Sequence, residues 1–165
     1  MSKEIIQIPH PALREVSTEI PADEILSENI QSLISDMREA LESQDDGIGL
    51  SAPQVAVTKR IFIVSHRLFE SDPSAKDMIF INPVVTWSSK ETDIAEEGCL
   101  SIRGKYGDVE RPSSVKIEAY SEEGIKLEYE ASGMLARIFQ HEIDHLNGVL
   151  FIDKAINIKD IPHEG

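Results

Sequence analysis

His141-Glu142-Ile143-Asp144-His145 carries two imidazoles four residues apart with an acid directly after the first. On a helix, side chains at that spacing lie above one another, so both rings point the same way and can grip one metal ion. Glu142 does not lie directly beneath the pair, yet it stays close enough to reach a water or substrate at such an ion. That is what the H-E-x-x-H pattern requires of a general base. The competing reading is an exposed helix that happens to carry two histidines and two acids. Three of the five histidines lie elsewhere, so the motif needs support from other segments.

Two segments are candidates for that support. Glu96-Glu97-Gly98-Cys99-Leu100-Ser101 holds the only cysteine. A lone cysteine is most often a small buried hydrophobe. Two histidines, however, leave a catalytic metal one protein ligand short of the usual three, and a metal-stabilised thiolate suits that role. Gly98 gives the backbone room to approach, and the Leu100 amide could then point at the reacting centre. Gly47-Ile48-Gly49-Leu50-Ser51-Ala52-Pro53-Gln54 is rich in glycine and small residues, which lets a backbone pass close to a ligand. It lacks the Gly-Lys-Ser/Thr ending of a phosphate-cradling loop and no strand leads directly into it. The Gln54 amide can donate to an oxygen that is gaining negative charge without adding a charge of its own, although a lone Gln after a loop is usually just solvated.

These residues need elements to hold them. A helix is predicted from about Ser132 to Leu146, with Ser132 as N-cap, Gly148 as stop, and Met134, Leu135, Ile138, Ile143 and Leu146 as apolar anchors. A second amphipathic helix is predicted between Pro21 and Asp46, where Leu26, Ile30, Leu33, Met37 and Leu41 recur at steps of three and four, with Asp23 and Glu24 favouring the positive end of its dipole. The N-terminal stretch from Ile5 to Arg14, with Pro9 and Pro11, reads as a tethered arm rather than a helix. Ile61-Phe62-Ile63-Val64, Met78-Ile79-Phe80-Ile81, Val84-Val85 and Ser114 to Tyr120 read as short strands. Glu122-Glu123-Gly124 then turns the chain into a further alternation through Ile125, Leu127 and Tyr129, which makes an antiparallel hairpin. The order is helix, strands, helix: an α+β layout of antiparallel β-strands packed around a central metal-binding helix, with an N-terminal amphipathic helix.

With 165 residues, 41% of them hydrophobic and 28% charged, the chain reads as a single globular domain, 1–165, and no apolar run approaches the length of a bilayer span. Met1-Ser2-Lys3-Glu4 lacks the regions of a signal peptide, and one cysteine excludes an internal disulfide framework and suits a reducing compartment, so a cytoplasmic protein is expected. Thirty acidic against 16 basic residues give a formal net charge of -14. That charge argues against broad attraction to nucleic acid or anionic lipid; neither direct DNA binding nor a membrane partner is expected.

Together the three segments resemble the peptide deformylase family, with its G-x-G-h-A-A-P-Q loop, E-G-C-h-S strand and Q-H-E-x-D-H helix, where h is apolar. Gly47 to Gln54, Glu97 to Ser101 and Gln140 to His145 match in that order. Pro9-x-Pro11-x-Leu13-Arg14, Asn82-Pro83, Arg111-Pro112 and Leu150-Phe151-Ile152-Asp153 extend the resemblance over nearly the whole chain. The resemblance implies Cys99, His141 and His145 as metal ligands, Glu142 as general acid/base, and the Gln54 side chain and Leu100 amide as oxyanion donors. It also implies that the Gly49 backbone holds the substrate's peptide groups and that Arg111 pairs with Glu97. The implied reaction is hydrolysis of the formyl group from nascent chains that begin with N-formylmethionine, releasing formate. The implied metal is Fe(II), while the donor set equally suits Zn, Ni or Co. Two rivals are an H-E-x-x-H endopeptidase, disfavoured by the cysteine and by the missing downstream ligand signature, and a catalytically silent deformylase-like binding module.

The chain departs from the family pattern in several places. Ser51 replaces an Ala of the loop motif, a small-for-small change expected to leave the loop's shape intact. Arg103 stands where many members carry Pro, at the rim of the groove. After Asp153 the chain carries Lys154 and Lys159 against Asp160 and Glu164, without a basic C-terminal helix, so ribosome contact is expected to be weak or made elsewhere. Met134, Arg137 and Ile138 precede His141 by seven, four and three residues and share its helix face. With Ile48 and Ala95 they are expected to surround the substrate's methionine. Burying that thioether chain favours binding by roughly 1.5–3 kcal/mol, and an unpaired guanidinium in the wall would cost as much or more. Arg137 is therefore expected to snorkel, with its charge in water or on a nearby acid, and Arg137→Ile to keep or improve activity.

Overall fold

The structure, a computed structural model, describes residues 4–161. The residues Met1-Ser2-Lys3, read above for a signal peptide, and the tail 162–165, with Glu164, lie outside the described residues. The architecture is α+β, with two helices, α1 (Glu28–Glu42) and α2 (Gly133–Leu146), and two antiparallel sheets. The larger sheet runs in the order β1 (Gly49–Ser51), β2 (Ile61–Val64), β3 (Met78–Ser88), β6 (Ser114–Tyr120), β7 (Lys126–Ser132). The smaller has β4 (Thr92–Cys99), β5 (Ile102–Pro112) and β8 (Ile156–Asp160).

Strand periodicity explains how the larger sheet is covered. Successive side chains point to opposite faces, so a strand buried on both faces reads as a continuous apolar run. In β2 all four residues are buried: Ile61 and Ile63 join Ile79 and Ile81 of β3 against α1, through Ile30, Leu33, Ile34, Met37 and Leu41. Phe62, Val64 and Phe80 face the other way, against Ala136, Ile138, Phe139 and Ile143 of α2. Phe139 meets Phe80 edge-on with ring centroids 4.9 Å apart. In β6, covered by α2 on one side, burial alternates at Val115, Ile117 and Ala119. A third core, with Leu13, Ile102, Val109, Leu150 and Phe151, packs under the smaller sheet and includes partly buried Cys99.

Several boundaries differ from expectation. Helix α1 begins at Glu28, where the Ser27 hydroxyl accepts from the Ile30 amide; Asp23 and Glu24 belong to a separate 3-10 turn, and Leu26 is exposed. Helix α2 starts after Ser132, whose side chain makes no capping bond, and it is followed by Gly148 at φ 73°. A Cβ on Gly148 would come within 2.6 Å of the Arg14 carbonyl oxygen, so the N-terminal arm crosses directly over the exit of α2. There the Arg14 guanidinium grips Asp153 at 2.6 and 3.0 Å, and within the arm, read as a tethered segment rather than a helix, Pro11–Arg14 forms one 3-10 turn. The two expected runs at Met78 and Val84 are one strand, β3, whose register shifts between Ile81 and Val84. Asn82 takes φ 53° in that shift and clamps the Ile20 backbone with both side-chain atoms, which absorbs Pro83 and its missing N–H.

Candidate active site

Helix α2 lies against β1, and β4 brings Cys99 to the same place from the smaller sheet. The ring centroids of His141 and His145 are 5.0 Å apart, and Cys99 Sγ lies 3.3 Å from His145 Nε2. One ligand atom from each of Cys99, His141 and His145 fits within 4.8 Å of the others. His141 Nδ1 is engaged by Glu97 Oε1 at 2.9 Å, leaving its other ring nitrogen for the site. A thiol and two imidazoles converging this closely, one imidazole already oriented by a carboxylate, fit a divalent transition metal. Without the Cys99 sulfur the site keeps two ligands, so Cys99→Ser is expected to bind metal more weakly, a hydroxyl being a poorer ligand than a thiolate. Metal analysis after dialysis checks this; unchanged metal affinity and turnover would return Cys99 to the role of a core residue.

The Glu97 carboxylate organises the surroundings. Arg111 binds it with Nε and Nη2 at 2.6 and 2.9 Å, as the resemblance implied. Arg111 Nη1 reaches on to Asp144 at 2.9 Å. Burial works against ionisation of Glu97, but the hydrogen bonds from Arg111 and His141 outweigh it and hold the carboxyl well below its ordinary range. Burial likewise opposes charge on His141, yet its contacts to Cys99 and Glu97 raise its pKa; His145, more deeply buried and facing His141, is lowered.

Glu142 is buried, its Oε1 has no hydrogen-bond partner among the described residues, and it lines a cavity of about 330 Å³. Burial pushes its carboxyl up to about 7, against the pull of a charged His141. Gly49 explains how β1 comes so near: a Cβ there would sit 2.7 Å from Glu142 Oε2 and 3.2 Å from Ile138. Gln54 is buried in the 3-10 turn after β1, with Nε2 3.2 Å from Ser101 Oγ and 3.5 Å from Cys99 Sγ. Leu100 lines the same cavity, its carbonyl held by Gln7 Nε2 at 2.7 Å.

Of the five residues expected around the substrate's first side chain, Ile48, Met134, Arg137 and Ile138 line this cavity and Ala95 does not; Gly49, expected to hold the substrate's peptide groups, lines it too. Ala95 lies two residues before Glu97 on β4, opposite Val109. Sequence reasoning missed Asp46, Ile102, Gly104 and Tyr106, which also line it. They come from the turn after α1 and from the irregular start of β5, where register changes between Glu97 and Cys99; a bulge of this kind leaves no periodic signal.

Arg137 puts its charge on a nearby acid, the second of the two destinations expected for it, and not in water. It is only 8% exposed. Its Nη1 donates to Glu97 Oε2 at 2.6 Å and to the Val109 carbonyl at 2.8 Å, and its Nη2 donates to the Asp93 carbonyl at 2.9 Å. The charge turns inward because Glu97, one strand away, is a better partner than water. Arg137→Ile would remove the guanidinium that pairs with buried Glu97 and donates to the Val109 and Asp93 carbonyls, so it is expected to destabilise rather than to spare activity. The expected loss is near the lower end of the roughly 3–5 kcal/mol for breaking a buried pair, since Arg111 still neutralises Glu97. A shift of the urea midpoint at constant slope reads it; an unshifted midpoint would contradict it.

A model of the polypeptide deformylase family matches residues 2–160. The chain is 43% identical over 157 residues to the peptide deformylase of Rhizobium meliloti (strain 1021), covering 95% of this chain and 87% of that one. It superimposes with a TM-score of 0.86 on a peptide deformylase from Synechococcus elongatus in complex with actinonin, at 36% identity, covering 94% and 81% of the two chains. For a class I type b peptide deformylase from Acinetobacter baumannii bound to Met-Ala-Ser, the TM-score is 0.84 at 32% identity, covering 93% and 99%. With the family's model matching nearly its whole length, and its fold shared with these solved deformylases, the chain belongs to the polypeptide deformylase family.

Proposed function

We infer that this chain is a metal-dependent hydrolase that removes the formyl group from the N-terminal formylmethionine of newly made polypeptides and releases formate. The observation that carries this reading is the convergence of Cys99, His141 and His145 beside a buried Glu142 that faces the same cavity. The Acinetobacter baumannii relative binds Met-Ala-Ser, a peptide with the amino terminus that deformylation leaves.

Cys99, His141 and His145 would hold the ion, carried by α2 and β4 with the strands arranged around that helix. A divalent ion there supplies Lewis acidity, which acidifies a water and polarises the formyl carbonyl. Glu142 takes the water's proton and later delivers it to the departing amine. Its burial keeps that carboxyl free of competing partners, and a neighbouring cation favours the ionised form that accepts the proton. Gln54 Nε2 and the Leu100 amide donate to the oxygen that gains charge at the formyl carbon. Gly49 leaves the backbone of β1 free to run beside the substrate peptide. Ile48, Met134 and Ile138 supply apolar wall for the methionine side chain, with the Arg137 methylenes.

Fe(II) is the ion we assign; thiolate and imidazole donors support it and equally accommodate Zn, Ni or Co. The whole chain, 1–165, is read as one catalytic domain, because the site draws residues from positions as far apart as Asp46 and His145. A lone unpaired thiol and nascent chains as substrate support a cytoplasmic location. No helix among the described residues is long and apolar enough to cross a membrane. A net charge of -14 supports ribosome contact that is weak rather than tight.

Formate release from formyl-Met-Ala-Ser, set against cleavage of an internal peptide bond, tests the reading. Formate without internal cleavage is expected. Internal cleavage would favour an endopeptidase, and bound metal without either product a silent binding module.

A further inference from the structure

Ser51 stands where the family's loop motif has Ala, and its hydroxyl makes a contact that Ala cannot. It is fully buried, and its Oγ donates to Gln54 Oε1 at 3.0 Å while its own backbone N–H donates to the same oxygen at 2.9 Å. A backbone N–H can only donate, so the side-chain atom facing it must be the amide oxygen. The NH₂ edge is thereby turned to the opposite side, toward Ser101 Oγ and Cys99 Sγ. A carbonyl oxygen accepts along two lone-pair directions, and here both are filled by one residue. A flipped amide would lose both acceptor contacts and press its NH₂ against the Ser51 N–H. The terminal torsion of a Gln side chain is otherwise broad, so two donors on one oxygen narrow the range through which the amide swings.

We propose that Ser51 is a positioning residue for the reaction, holding the Gln54 amide so that its NH₂ edge, which lies toward Cys99 Sγ, is presented to the oxygen that gains charge. The inference rests on the donor role assigned to Gln54 above. An oxyanion donor acts through its orientation before the charge develops. Loss of the hydroxyl therefore lowers kcat and leaves KM unchanged, because the ground-state carbonyl draws little on this bond. The Ser51 N–H remains in Ser51→Ala, so the loss is partial.

The test is a double-mutant cycle on the metal-loaded protein with Ser51→Ala, Gln54→Ala and the double variant, with kcat and KM measured separately on a formyl-Met peptide. Side-chain amide ¹H–¹⁵N resonances of Gln54, identified by their loss in Gln54→Ala, are followed alongside. Ser51→Ala is expected to lower kcat roughly 5–10-fold, the scale of one hydrogen bond. Gln54→Ala is expected to lower it roughly 10²–10³-fold, and the double variant to match Gln54→Ala. In Ser51→Ala the Gln54 amide resonances should shift and broaden, a change that general loosening of the turn would not confine to Gln54. Wild-type kcat in Ser51→Ala, or a double variant lower than Gln54→Ala by the full Ser51 factor, overturns the inference while leaving Gln54 its role. Unchanged kcat in Gln54→Ala overturns that role, and the inference with it.

Discussion

Glu142→Gln is expected to lower kcat on formyl-Met peptides by about 10²–10⁴-fold, the usual contribution of a positioned acid-base group, while metal content stays at the wild-type level. The amide has nearly the carboxylate's shape and leaves Cys99, His141 and His145 untouched, but it has no basicity with which to take a proton. Glu142 is also the cavity-lining acid with a buried oxygen that lacks a partner among the described residues, so the substitution removes no hydrogen bond to that atom from them. Thermal stability is therefore expected to hold. Metal analysis and steady-state kinetics on the same preparation separate the possible roles. Loss of metal together with activity would make Glu142 a ligand or a structural residue.

The second large effect concerns folding. Glu97→Gln leaves the guanidiniums of Arg111 and Arg137 buried, with side chains 3% and 9% exposed, Arg137 without its carboxylate and Arg111 with Asp144 alone. Breaking a buried pair from one side costs roughly 3–5 kcal/mol, because an uncompensated charge stays in a low-dielectric surrounding. His141 also loses the acceptor that orients its ring, so weaker metal retention should accompany the lower stability. The pH dependence has a definite sign. The folded-state pKa of Glu97 lies below its ordinary value of 4.5, so the unfolded chain binds the proton more readily. The stabilisation is present in full above that ordinary value and is lost as pH falls from there through the folded-state pKa. Urea midpoints between pH 7 and pH 3 should therefore fall more steeply for the wild type than for Glu97→Gln. Parallel curves would show that Glu97 contributes little to acid sensitivity.

Legibility in the sequence followed the length scale of each signal. His141, Glu142 and His145 could be read together because helical spacing alone sets their relation. The pairing of Cys99 with histidines more than forty residues away was visible only through the combination of motifs, since no local rule joins β4 to α2. Strands β2 and β6 announced themselves by apolar run and alternation, whereas β8 is exposed at every position and offers only the two-residue alternation of Ile156 and Ile158. Arg137 was legible in part, since a nearby acid was expected as one destination for its charge. Its place on the metal-bearing face was read correctly from spacing, but the direction of its charge depended on Glu97 and on the Val109 and Asp93 carbonyls, which the sequence leaves far away. Ser51 was underread for a similar reason: as a small residue it keeps the loop's shape, and its hydroxyl gains meaning only once Gln54 Oε1 lies 3.0 Å away.

The central claim is that turnover depends on a metal held by Cys99, His141 and His145. Its most direct test is an anaerobic titration of Fe(II) into metal-stripped protein, with formate release from a formyl-Met peptide recorded at each addition. Activity is predicted to rise in proportion to bound metal and to saturate when a single site is filled, with Cys99→Ser and His145→Ala shifting the titration to higher metal concentrations. Formate release that ignores the metal content, or variants that titrate like the wild type, would contradict it.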